Sequence, residues 1–351
     1  MKTTPLVRTC VALFAALVSS CSPTTYKEVY PTLIDGRYDS EFPYRSCSEQ
    51  LETIGQSVVM LSSLAYYRSY RFGIEENLTA AAIGEETIKG RKSTVELSQI
   101  AGTATVVSSD GRRVVLLTCA HVVDFPDTTT SYYLGPDRRS TGVVQNLAYL
   151  DRQINYVAVF PEGGELSVLA IDRAADLALV GRHFEQQHFP APRVIGYPAG
   201  RAKELEWGSF VYLFGYPGGY KMVTKGIVSS PNRDRRGSFL VDAVLDRGFS
   251  GGIVLAIKDG VPNFELVGII KMLPGRSLSY LAPATGEGIP DYEPGVPYKG
   301  DIFVQRRFEI TNGISQAISI EAIAEFVERH RDELAAKGYS IPFPVQAEQA
   351  Q

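Results

Sequence analysis

The chain of 351 residues is 44% hydrophobic and 21% charged, with 32 glycines and 20 prolines. These are the proportions of a globular protein with ample core, and they exclude a disordered or fibrous one. A formal charge of −4 and the lack of a basic stripe exclude nucleic acid as a partner. The cluster Arg233, Arg235 and Arg236 is broken by Asp234 and flanked by Pro231, Asn232 and Gly237, as a solvated turn is. At this length one large all-β domain or two smaller ones fit.

Taken in chain order, Lys2 and Arg8 make a positive start and Val11–Val18 is a short apolar run. That run falls well below the ~20 residues that span a bilayer, so residues 1–20 read as a signal peptide. Val18-Ser19-Ser20-Cys21 resembles a bacterial lipobox, in which Cys21 is lipidated and becomes a membrane-anchored N-terminus. The alternative is ordinary cleavage, with Cys21 incidental and the protein secreted. Ser22 resembles the residue that lets a Gram-negative lipoprotein travel to the outer membrane. The expected location is the cell envelope outside the cytoplasm. Residues 21–47, rich in Tyr, Pro, Ser and Thr, read as a tether. Cys47 and Cys119 remain as ordinary thiols; a disulfide is permitted in an exported protein, but two cysteines are no framework. With no Cys-x-x-Cys and no clustered histidines, no metal is expected, and no cofactor.

Short β-runs follow at Ser57–Leu61, Ala101–Val107, Val114–Thr118, Tyr156–Phe160, Leu166–Ile171, Asp176–Val180, Val211–Phe214, Met222–Ser229, Phe239–Val244, Gly252–Ala256 and Leu266–Met272. So many, with little helical periodicity between them, predict a sandwich or barrels. Two stretches read as insertions: 67–97, polar and without clear period, and 274–300, a Pro- and Gly-rich loop. One helix is predicted from Ile320, with Ile323, Phe326, Val327 and Leu334 near helical spacing and Gly338 as its stop. Residues 339–351 are a polar tail.

Three residues carry chemistry. His121 ends the apolar strand Val114–Thr118 after small residues. Ser250 sits in Gly248-Phe249-Ser250-Gly251-Gly252, where glycines let the backbone turn sharply so that the N–H groups of Gly248 and Ser250 can face a developing oxyanion. Asp176 precedes an apolar run and so sits at a buried strand edge, where a carboxylate can orient an imidazole. Asp172, with polar neighbours, reads as a turn residue. The order His, Asp, Ser is that of the chymotrypsin barrels, not of subtilisin or the α/β-hydrolases.

On these residues the chain resembles the trypsin-like serine peptidases of the chymotrypsin superfamily, and within them the HtrA/Deg-like bacterial branch. Further segments carry the likeness: Ala101–Val107 before the histidine strand, Leu213–Gly219 through Thr224–Ser229, Asp242–Asp246 leading into the serine turn, Val267–Ile270, and Ile314–Ile318 before the final helix. The resemblance implies an all-β fold of two six-stranded antiparallel barrels with a C-terminal helix. It places His121 and Asp176 in an N-terminal barrel over 48–198 and Ser250 in a C-terminal barrel over 199–312, followed by a strand and helix over 313–338. It implies a serine endopeptidase with protein or peptide substrates. Val244, Leu245, Lys271, Met272 and Leu273 are expected to line the specificity pocket. Trimers are common in that branch, which leaves self-association open. Three departures stand out. Phe249 replaces the usual Asn or Asp before the nucleophile, Arg247 replaces a usual proline, and no PDZ segment follows the catalytic region. Phe249 keeps open a catalytically weak or inactive binding protein on the same scaffold. An esterase shares the chemistry but normally sits on an α/β fold.

Overall fold

The computed structural model describes residues 34–135, 139–188, 190–272, 275–283, 295–298, 300, 302–310 and 313–342. Helix α1 (Ser48–Gly55) leads into β1 (Val58–Arg71), and a short helix α2 (Glu85–Ile88) stands between it and β2 (Ser93–Ser109). Then come β3 (Arg113–Thr118), α3 (Ala120–Val123), β4 (Thr128–Leu134), β5 (Ser140–Tyr156), β6 (Glu165–Asp172) and β7 (Leu177–His183). These strands form one sheet in the order β1-β2-β3-β7-β6-β5-β4, and pairing of β1 with β5 closes six of them into a barrel with β4 outside.

The second half contains β8 (Phe210–Gly215), β9 (Met222–Ser230), β10 (Phe239–Asp242), β11 (Ile253–Ile257), β12 (Phe264–Met272), β13 (Gly275–Pro283), β14 (Ile302–Ile310), β15 (Ser315–Ser319) and α4 (Ile320–Ala336). A second closed barrel runs β10-β15-β12-β11-β8-β9, while β13 and β14 pair as a separate ribbon. The fold is therefore all-β, two six-stranded antiparallel barrels with a C-terminal helix. The strand expected before the final helix is a stave of the second barrel, pairing with both β10 and β12.

Local chemistry explains the elements. Each residue of β11 is buried, as a strand flanked by β8 and β12 requires. Ser319 caps α4 by accepting the Ala322 N–H, and Gly338 just beyond it adopts φ 81°. That is the left-handed turn at a helix end that glycine makes without steric cost. Ile320, Ile323, Phe326, Val327 and Leu334 are buried, and the helix packs on β12, β15 and β6, so it touches both barrels.

Several expectations are corrected. Of the polar stretch 67–97 only residues 72–92 lie between strands: Tyr67–Arg71 and Ser93–Leu97 extend β1 and β2, paired from Val58↔Thr105 to Tyr70↔Ser93. Of the expected loop 274–300, Gly275–Pro283 is a strand paired with Ile302–Ile310. The apolar run Tyr156–Phe160 begins on the last residue of β5 and then turns, with Phe160 N–H donating to Val157 O. The expected tether is bound to the second barrel from Tyr38 on. Asp39 N–H donates to Ile257 O, its carbonyl accepts from Phe210, and the Tyr38 hydroxyl donates to Glu265. Residues 1–33, with the expected signal peptide and the expected lipidation site Cys21, lie outside the described residues. Among the described residues no helix is long and apolar enough to cross a membrane.

Candidate active site

The cleft between the barrels is built from the ends of β2, β3 and β7 on one side and the turn before β11 on the other. β3 delivers the chain through buried Thr118 and Cys119 to the single-turn helix α3, on which His121 lies half-buried. Asp176 sits immediately before β7, buried, in the left-handed backbone region with φ 59°. That region is uncommon for a non-glycine residue and costs free energy that the surroundings must offset. Here the offset is visible. The Asp176 carboxylate accepts the His121 backbone N–H at 2.9 Å, and its oxygens lie 3.0 and 2.9 Å from His121 Nδ1. The Asp176 carbonyl also accepts the Ala120 N–H. Position and orientation of the imidazole are thus held from the backbone and from the ring. Asp172 is the turn residue: it accepts the N–H groups of Ala174 and Ala175 and pairs with Arg329.

Ser250 lies across the cleft, and His121, Gly248 and Ser250 line one cavity of about 540 Å³. Around Ser250 the glycines are required by close approach. A Cβ on Gly248 (φ 109°) would lie 2.3 Å from Tyr216 O, and one on Gly251 (φ 84°) 2.1 Å from Thr103 O. Among the described residues the backbone N–H groups of Gly248 and Ser250 donate to no protein acceptor, and Ser250 Oγ makes no hydrogen bond to the His121 ring.

The turn is fastened by the first barrel. Thr103, fully buried on β2, donates its hydroxyl to Gly248 O at 2.6 Å and accepts the Tyr216 N–H at 3.0 Å. Its own N–H donates to Ser250 O, and its carbonyl accepts from Thr118 Oγ1 at 2.7 Å. On β12, Ile270 O accepts the Gly251 N–H at 2.8 Å, and the Ile270 N–H donates to Gly252 O at 2.7 Å. Phe249, before Ser250, points into the core and is 2% exposed, lying so close to Gly215 that a Cβ there would meet its ring at 2.4 Å.

Residues 102–269 match a family model described as Trypsin-like peptidase domain. The match runs from β2 through β12 and contains His121, Asp176 and Ser250, and it supports a function of serine-protease type. No curated protein matches the chain.

The expected specificity residues are placed differently. Leu245 is buried in the core, Val244 is exposed, and neither lines the cavity shared by His121 and Ser250; nor does Lys271, which is half-buried near the end of β12. The backbone of Met272 ends β12, and Leu273 lies outside the described residues. The walls are instead Met60 on β1, Gln99–Ala101 on β2, and Tyr216, Gly218 and Gly219 after β8. Thr103 was missed too. Its signal was a hydroxyl inside the small-residue run Ala101–Val107, because a polar side chain in a buried strand must find a partner.

Cys47 and Cys119 are separate, buried, free thiols. Burial, aided by the Asp176 charge, pushes the Cys119 thiol well above its ordinary value. Folding brings ligand atoms of Cys119, His121 and Asp176 within 4.8 Å of one another, a grouping with metal-ligand chemistry that no sequence spacing announced.

Proposed function

We propose that the protein is a serine endopeptidase in which His121, Asp176 and Ser250 form the catalytic triad. The observation that carries this reading is the His121–Asp176 pair, 2.9 Å at its closest, facing one cavity with a serine held on a glycine turn whose neighbouring N–H groups are uncommitted. His121 takes the Ser250 proton as the hydroxyl attacks the scissile carbonyl, Asp176 fixes the tautomer and stabilises the imidazolium, and Gly248 and Ser250 N–H groups hold the oxyanion. His121 then protonates the leaving amine, and water resolves the acyl-enzyme along the reverse path. The acyl side of the substrate lies against the end of β12. In line with the resemblance to HtrA/Deg-like peptidases and the lipobox-like Cys21, the substrates are exported or extracellular proteins met at the cell envelope. Phe249 lends no support to an inactive scaffold, because its side chain fills core rather than the cleft.

The test is purified wild type beside Ser250→Ala, given unfolded casein and a fluorophosphonate probe. Cleavage and labelling that both vanish in the variant support the reading; a folded wild type that does neither overturns it.

A further inference from the structure

One end of the second barrel is turned away from the catalytic cavity. Strand β8 starts there at Phe210 and reaches the cavity at Tyr216, roughly 20 Å along the strand. The pairings Val211↔Ala256, Ile257↔Phe264, Phe210↔Ile227 and Leu240↔Ser230 gather the β9–β10 and β11–β12 turns at that same end, beside the loop before β8. The N-terminal segment enters the fold here. Arg37 pairs with Glu206 at 3.3 Å, Gly36 N–H donates to Asp259, and Asp39 N–H donates to Ile257 O.

Three large apolar side chains stand in solvent around this entry point: Trp207 is 72% accessible, Phe42 66% and Ile34 55%. Exposed singly such residues mean little, but here they share one end with a set of cations. The acids of this end are already engaged. Glu206 is taken by Arg37, Glu204 by Arg201 and Lys258, and Asp234 by the N–H groups of Arg236 and Ser238 and the Ser238 hydroxyl. Exposed Lys203, Arg233 and Arg235 form no ion pair among the described residues. Asn232 Nδ2 donates to Lys203 O and the Lys203 stem lies against Gly237, so the loop before β8 and the arginine turn form one patch. Lys225 Nζ stands 4.6 Å over the Phe42 ring.

Tryptophan rings settle at the headgroup level of a bilayer, and lysines and arginines beside them meet its phosphates. We infer that this end of the second barrel docks on a membrane surface bearing anionic lipid headgroups. The chain that precedes it selects this occupant. Arg37 comes 16 residues after Cys21, the expected lipid anchor, a contour of at most roughly 55 Å. A lipid on Cys21 therefore holds the surface at high effective concentration beside the end that carries Trp207. Docked in this way, the cavity with His121 and Ser250 sits at the opposite end of β8, open to polypeptides in solution rather than to the lipid.

The experiment uses the purified full chain with vesicles of phosphatidylglycerol or of phosphatidylcholine, both with brominated acyl chains. Trp207 is the chain's one tryptophan, so its emission reports this end alone, whatever holds the rest of the protein to the vesicle. Expected are a blue shift and bromine quenching on phosphatidylglycerol, both lost on phosphatidylcholine and at high salt. Lys203→Gln, Arg233→Gln and Arg235→Gln together should lower the docked-to-undocked ratio about a hundredfold, at about fivefold per cation, with thermal unfolding unchanged. Quenching absent on both lipids, or equal on both, overturns the inference, as does quenching that survives the triple substitution. A blue shift that grows with protein concentration in the absence of vesicles also overturns it and assigns this end to a second copy. The docking is independent of catalysis, so its failure leaves the peptidase reading standing.

Discussion

Phe249 stands where the resembling peptidases carry Asn or Asp, and its side chain is part of the core against Gly215. The turn that carries Ser250 is held from outside that position, by Thr103 on one face and β12 on the other. Restoring a polar residue there would strand it among apolar groups. Phe249→Ala should cost about 3–5 kcal/mol, the usual range for emptying a buried aromatic site, and Phe249→Asn should stabilise nothing; chemical denaturation checks both. The residues proposed as a triad were chosen from local frames, His after an apolar strand, Ser among glycines and Asp before a buried strand, and the structure pairs His121 with Asp176 and sets His121 and Ser250 on one cavity. Pocket residues were not. Leu245 and Val244 read as a pair of apolar wall residues, but the strand ends at Asp242, and beyond it one side chain enters the core while the other faces solvent.

At the scale of elements, legibility followed burial. Strands buried on one or both faces, such as β3, β7, β11 and β12, showed as apolar runs, and α4 showed its period because only one face meets the barrels. The outer half of β2 did not, since residues 92–99 are exposed on both faces and hydrophobic alternation has nothing to respond to there. Strands β13 and β14 pair across a long separation that no local signal encodes. The N-terminal segment was read as a tether because its composition is polar, yet Asp39 is buried and its carboxylate lies 3.1 and 3.3 Å from the Gly260 N–H. Burial raises the Asp39 pKa to about 6 from 3.8. A carboxyl held above its unfolded value contributes stability that is complete below about 4 and lost as pH rises through about 6. Asp39→Asn keeps the acceptor and cannot ionise, so its stability should lack the decline that wild type shows between about pH 4 and 6; thermal unfolding across that window is the measurement.

At the scale of the molecule, two closed barrels meet at a site to which each contributes half, and Thr103 joins the halves. Its hydroxyl bonds Gly248 and Tyr216 of the second barrel while its carbonyl holds Thr118 of the first. Thr103→Val leaves a carbonyl and an N–H without partners, which should lower stability by about 1–3 kcal/mol and reduce kcat more than it raises KM. Thr103→Ser should restore most of both, and steady-state kinetics beside denaturant titration separates the two effects. The two-barrel plan was legible only through the chain order of His121, Asp176 and Ser250 and the likeness it supports. The β1–β5 closure itself joins residues far apart in sequence.

The two buried thiols Cys47 and Cys119 give the molecule an internal pair of clocks. Cys47 is sealed where the N-terminal segment meets β8, its sulfur 3.5 Å from the Tyr212 hydroxyl, and Cys119 is sealed where the barrels join, its thiol donating to Ile270 O at 3.1 Å. Neither can meet a reagent without local opening, and each opening is a different motion. The rate at which Cys47 takes up a thiol label therefore times the lifting of the N-terminal segment, and that of Cys119 the parting of the two halves of the site.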